Sequence, residues 1–85
     1  MVSDHFYLHR RPSSTVQVVI SVSKKISKKA VVRNRIRRRI RPIVHEFISD
    51  LKPATYFIVA KPGAENIKGK ELKEELFRLI RSIRN

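Results

Sequence analysis

Residues 15–41 read TVQVVISVSKKISKKAVVRNRIRRRIR, and within them the apolar period changes from two to between three and four. In the first part Val16, Val18, Ile20 and Val22 alternate with Gln17, Val19 and Ser21. Side chains of a strand alternate between its faces. Residues 15–23 are therefore expected to form a strand with one apolar face and a second face made partly apolar by Val19. Residues 23–27 break the alternation as a loop. From about Lys29 onward the apolar positions are Val32, Ile36, Ile40, Ile43 and Phe47, with Val44, Ile48 and Leu51 beside them. Steps of three and four place them on one face of a helix, which Lys52 and Pro53 end. Pro42 lies inside that helix. Having no backbone donor, it should kink the helix or split it.

Working outward, residues 5–10 read as a short strand with Phe6 and Leu8 on one face and Tyr7 on the other, and residues 11–14 as a turn. Residues 54–60, rich in β-branched and aromatic side chains, read as a third strand, broken by Lys61, Pro62 and Gly63. A last helix is expected from about Gly69 to Ile83, with Leu72, Leu76, Leu79, Ile80 and Ile83 as its apolar stripe. Glu71, Glu74 and Glu75 in its first turns and Arg78, Arg81 and Arg84 near its end suit the helix dipole, and Glu74 stands four residues before Arg78. The order β-β-α-β-α predicts a single α+β domain over residues 1–85, a two-layer sandwich with helices packed on one face of a small sheet. The uncovered face, with Tyr7, Val19 and Tyr56, would be an apolar groove rimmed by polar groups, the kind of surface that binds something.

The chain has 85 residues, of which 20 are Lys or Arg and 7 are Asp or Glu, for a net charge of +13. A length of this order is one domain, and a hydrophobic content of 41% is too high for a disordered basic tail. The absence of cysteine excludes a disulfide framework, a thiol nucleophile and cysteine-ligated zinc. No apolar run approaches the roughly 18 residues of a membrane span, and residues 1–10 lack the apolar stretch of a signal peptide. A cytoplasmic setting is expected. Residues 1–42 hold four lysines and eight arginines against one aspartate, leaving +11, whereas residues 43–85 carry only +2. A charge so concentrated calls for a polyanionic partner, and nucleic acid is the commonest one.

The first helix works against its own stability. Lys28, Lys29 and Arg33 gather at the end where the dipole favours acids, each at a cost of roughly 0.3–1 kcal/mol. Arg33, Arg37 and Arg41 stack at four-residue intervals, Arg35 and Arg39 form another like-charged pair, and Asn34 and Arg38 lie between the rows. A merely solvated face mixes signs; this one does not. Arginine forks grip phosphate oxygens bidentately and stack on bases, so residues 24–41 are expected to contact nucleic acid. The rivals are a nuclear-localisation run and a membrane-surface helix. The membrane is disfavoured because the strands need the helix's apolar face for a core.

Side chains for catalysis are missing. His5 and His9 on a strand stand roughly 13 Å apart, too far to share an ion. His45 flanks a helix beside Glu46, the acids of the last helix are explained by its dipole, and two glycines make no phosphate loop. No catalytic residue, metal site or small-molecule site is therefore expected in this chain, and no cofactor bound by the protein itself.

Residues 20–38, with Ser21, Val22, Ser23, Lys24 and Lys25 leading to the triplet Arg33, Asn34 and Arg35, resemble the signature of the bacterial ribonuclease P protein subunit. The later strand through Pro62 and the terminal helix are similar to the family's order, so the resemblance covers most of residues 5–84. It implies a small basic partner of a large catalytic RNA, which with Mg2+ removes the 5′ leader of precursor tRNA. By residue match Lys24, Lys25, Lys28, Lys29, Arg33, Asn34, Arg35, Arg37 and Arg38 would face the catalytic RNA, and Arg41 extends their row. Family members normally begin with a basic helix ahead of the first strand whose aromatic residues wall the leader cleft. Here the chain starts almost at that strand, so the resemblance implies either a shortened member or a fragment of one. Tyr7, His9 and Arg10 are the candidates for leader contact, with Arg11 as a further phosphate contact. The alternative is a general module for structured RNA with no part in leader recognition.

Overall fold

The alternation in the second strand and the helical spacing that follows it both appear in the computed structural model, which describes residues 2–84 and side chains as far as Ser82. The elements are β1 (Phe6–Pro12), β2 (Gln17–Ser21), α1 (Ala30–Phe47), β3 (Ala54–Ala60) and α2 (Gly69–Arg84). Short 3-10 turns at Ile48–Asp50 and Ala64–Asn66 follow α1 and β3. The sheet order is β1-β3-β2, with β3 antiparallel to β1 and parallel to β2. The parallel pair requires a crossover, and α1 supplies it.

Both helices cover one face of the sheet. Phe6 and Leu8 from β1 and Tyr56 and Ile58 from β3 are buried against Ile36, Ile40 and Val44 of α1 and Leu72, Leu76, Leu79 and Ile80 of α2. Val16, Val18, Ile20, Val32, Ile43 and Phe47 pack on the margin of this core. The expected apolar stripes of both helices and the inner faces of β1 and β2 are therefore those observed; the side chains of Ile83 and Arg84 lie outside the described residues.

Several local expectations are corrected. Arg11 and Pro12 belong to β1 rather than to a turn, because they pair with Thr55 and Ala54 at the start of β3. Pro sits at the outer margin of an edge strand, where its missing donor costs no ladder bond. β2 is shorter than the alternating run, since only Gln17–Ser21 finds a partner on β3. Pro42 does not split α1, which runs unbroken from Ala30 to Phe47 with Pro42 on its exposed side. Its flanking residues Ile40 and Val44 are buried, and tertiary packing of that stripe outweighs one lost backbone bond. Tyr56 is not on the open face. It shares the parity of Ala54, Ile58 and Ala60, is 3% exposed, and donates its hydroxyl to the Lys52 carbonyl at 2.6 Å.

Glu75 is likewise no surface acid. It is buried about midway along α2, where it accepts bonds from Ser3 Oγ (2.6 Å), the His5 backbone N–H (2.8 Å) and His5 Nδ1 (2.6 Å). The same segment is held by Lys61, whose Nζ donates to the Ser3 carbonyl and whose backbone N–H donates to the His5 carbonyl. Nor does Arg78 reach for the Glu74 carboxylate: its Nε donates to the Glu74 backbone carbonyl at 3.4 Å. Burial alone would raise the Glu75 pKa. The bonds from Ser3 and His5 and the His5 charge together outweigh it and hold the carboxyl below its ordinary 4.5. Because the folded value is the lower one, this contribution to stability is complete above 4.5 and disappears as pH falls through the folded value. Glu75→Ala, which strands three donors, is expected to cost about 1–3 kcal/mol at neutral pH. Urea unfolding of the two proteins should show that gap closing only below the ordinary glutamate range.

Candidate nucleic-acid interface

The loop ahead of α1 is folded by its serines. The Ser23 and Ser27 hydroxyls accept the backbone N–H groups of Lys25 and Lys29, and Ile26 N–H donates to the Ser23 carbonyl. These bonds hold the exposed side chains of Lys24, Lys25, Lys28 and Lys29 around the start of the helix. There α1 has no side-chain cap and no acid in its first turn. The positive end of the dipole and four lysines therefore add rather than cancel, a setting that favours anions.

Along α1 the arginines divide into two groups. Arg33, Arg37 and Arg39 are half-buried and bonded within the fold: Arg33 to the Ser27 carbonyl (2.9 Å), Arg37 to Asn34 Oδ1 (3.0 Å) and Arg39 to the Glu65 carbonyl (3.2 Å). Arg35, Arg38 and Arg41 are exposed and have no ion-pair or hydrogen-bond partner among the described residues. Asn34, Arg37, Arg38 and Arg41 line one shallow concavity on the outer side of the helix. Val31, 63% exposed, belongs to the same outer side, and the charge pattern alone did not single it out. The predicted row is thus brought together, with Arg33 doubling as a brace for the loop.

The second surface is the open sheet face, on the opposite layer. Tyr7 and Val19 are 40% and 42% exposed there, and a shallow, mostly apolar depression is lined by Tyr7, His9, Arg11, Ser21, Phe57 and Val59. The Tyr7 and His9 rings lie 6.4 Å apart and nearly parallel, and His9 and Phe57 are 6.0 Å apart and tilted. The Arg11 guanidinium stands 5.8 Å from the Phe57 centroid. Aromatic rings beside a cation suit successive unstacked bases.

Arg10 does not join this face. It is in register with Tyr56, and directly paired residues project on the same side, so Arg10 points to the helix side of the sheet and Arg11 takes the place expected of it. Phe57 and Val59 are the residues the sequence reading missed. Both faces of β3 are apolar, so its alternation carries no signal of which one is open, and the sequence reading puts Tyr56 there instead. Of the histidines, His5 is engaged by Glu75, His9 belongs to the aromatic row and His45 is exposed on α1. Among the described residues no three His, Asp or Glu side chains gather closely enough to hold a metal ion, and no helix is long and apolar enough to cross a membrane.

The fold is that of known proteins. An RNase P protein from Staphylococcus aureus superposes with a TM-score of 0.86 at 22% identity, the match covering 98% of this chain and 78% of that one. The RNase P protein from Thermotoga maritima superposes with a TM-score of 0.85 at 18% identity, covering 96% of this chain and 80% of that one. No curated protein matches the sequence. The family model described as Ribonuclease P matches residues 1–84, and with the signature around Arg33, Asn34 and Arg35 set in a basic helix on this sheet, the chain belongs to the ribonuclease P protein family.

Proposed function

We propose that this chain is the protein component of ribonuclease P. In this reading the outer side of α1 and the lysine loop bind the catalytic RNA, and the open sheet face holds the single-stranded 5′ leader of precursor tRNA. The cleavage chemistry is left to the RNA. The observation that carries the reading is the pair of RNA-suited surfaces on opposite layers: unpaired arginines on the outer side of α1, and the row of Tyr7, His9, Phe57 and Arg11 across the open face of β1 and β3. Two surfaces facing apart let one small protein hold two RNA segments at once. The Mg2+ implied for the reaction finds no carboxylate cluster at either surface among the described residues, and we assign it to the RNA. A cytoplasmic setting, where tRNA precursors are processed, goes with this role.

Reconstitution tests the proposal. The protein is mixed with a bacterial ribonuclease P catalytic RNA at low Mg2+, and cleavage is followed for a precursor tRNA with its full leader and for one whose leader is cut to one or two nucleotides. Rescue of cleavage, with a clear preference for the full leader, is expected. Rescue without that preference would leave a general RNA-binding module, and no rescue would remove the assignment. If about six phosphates are neutralised, affinity for the catalytic RNA should fall with salt at a log–log slope of roughly −4 to −5.

Phe57→Ala should act only on the leader. Base–aromatic stacking contributes about 1–3 kcal/mol per base, so affinity for the long-leader substrate should drop about 5- to 150-fold. The short-leader substrate should be bound as before, and circular dichroism would confirm that the variant folds.

A further inference from the structure

A groove runs along the free edge of the sheet, on the helix side, away from the open sheet face and adjoining the basic side of α1. Its walls are Val18 and Ile20 of β2 and Val44 and Ile48 of the α1 end, with Arg41 and His45 exposed at the rim one helical turn apart. β2 is an edge strand, so the side chains of Val18 and Ile20 are only half covered by α1. No carboxylate lines the groove, and Glu46, the next residue along the helix, is taken up by Lys73 at 3.1 Å. Arg41 also lines the concavity with Asn34, Arg37 and Arg38, so the groove opens directly onto the basic side of α1.

From this geometry we infer that the groove is a site for one unpaired nucleotide of the RNA bound along α1, a proposal that rests on the reading of α1 as the catalytic-RNA surface. The flat apolar base lies between the four aliphatic side chains, and its phosphate is met by Arg41 and His45. An occupant with an apolar plate and an anionic end fits a cleft with aliphatic walls and a cationic rim. Continuity with the basic concavity through Arg41 favours RNA over an acidic peptide adding to the β2 edge.

The test is a titration of the methyl-labelled chain with adenosine 5′-monophosphate, with ribose 5-phosphate as the control lacking the base. The methyl resonances of Val18, Ile20, Val44 and Ile48 are expected to shift with the nucleotide and to stay still with the sugar phosphate. Val19 and Val59 report separately on the open sheet face. Shifts confined to those two, or equal shifts with both probes, would overturn the proposal, as would groove shifts produced by hexaglutamate and not by the nucleotide. In a second arm His45→Glu, an exposed change, should weaken binding of the catalytic RNA about threefold to tenfold. Binding that responds to loss of the outer arginines but not to His45→Glu, with silent groove methyls, would reject the groove and leave the proposed function standing. Failure of the wild-type chain to bind that RNA would reject the function, while the nucleotide titration would still decide the groove.

Discussion

Replacing Arg35 and Arg38 together by alanine is expected to weaken binding of the catalytic RNA about 30- to 150-fold, two solvent-exposed phosphate contacts at about 1–1.5 kcal/mol each. The log–log salt slope should become shallower by about 1.5–2 at the same time. Stability should not suffer. Both side chains are exposed and unpartnered among the described residues, and both have like-charged neighbours three or four residues along the helix. Removing them relieves repulsion of a few tenths of a kcal/mol per pair, so the melting temperature should stay level or rise slightly. This pair is a cleaner probe than Arg33 with Arg35, because Arg33 also braces the loop through the Ser27 carbonyl. Filter binding and thermal melts on the same preparations check both halves. Unchanged affinity would remove α1 from the RNA interface.

Ile40→Ala acts in the opposite manner, on the fold and through it on both surfaces. Ile40 is fully buried where α1 meets the sheet. Deleting three of its carbons leaves a cavity that costs about 2–5 kcal/mol. A domain of this size has only about 4–13 kcal/mol of stability in all, so much of it would be lost. Urea unfolding should show that loss, and rescue of cleavage should fall for long and short leaders alike. Val31→Ala, an exposed change on the same helix, should stay within about 0.5 kcal/mol of wild type. A similar cost for the two variants would mean that the inner face of α1 has been misplaced.

Much of the architecture was legible from local pattern. Period two in residues 15–23 and steps of three and four from Val32 to Phe47 are consequences of how side chains leave a strand and a helix, and they located β2 and α1 with the correct inner faces. The charge asymmetry was legible for the same reason: one helix and the loop before it carry it. Tyr56 shows where such reading stops. In residues 54–60 both faces are apolar, so alternation does not state which is inward, and the pairing with β1 and β2 decided it. Glu75 shows another limit. Beside Glu71 and Glu74 it looks like one more acid for the dipole, and nothing near it in sequence announces that Ser3 and His5, some seventy residues earlier, will close over it.

Taken alone, the sequence determined what depends on neighbours within a few residues: the kinds of element, their order, the apolar stripe of each helix, the concentration of positive charge and the resemblance carried by residues 20–38. The tertiary structure decided what depends on distant partners. Strand order put β3 between β1 and β2, and register turned Phe57 and Arg11, rather than Tyr56 and Arg10, toward the open face. Contacts with distant carbonyls separated the bonded Arg39 from the unpartnered Arg35, Arg38 and Arg41. The physical reason is that periodicity is a property of the backbone's local geometry. Pairing, register and the satisfaction of a buried or half-buried polar group are set by which segments, far apart in the chain, exclude water from one another.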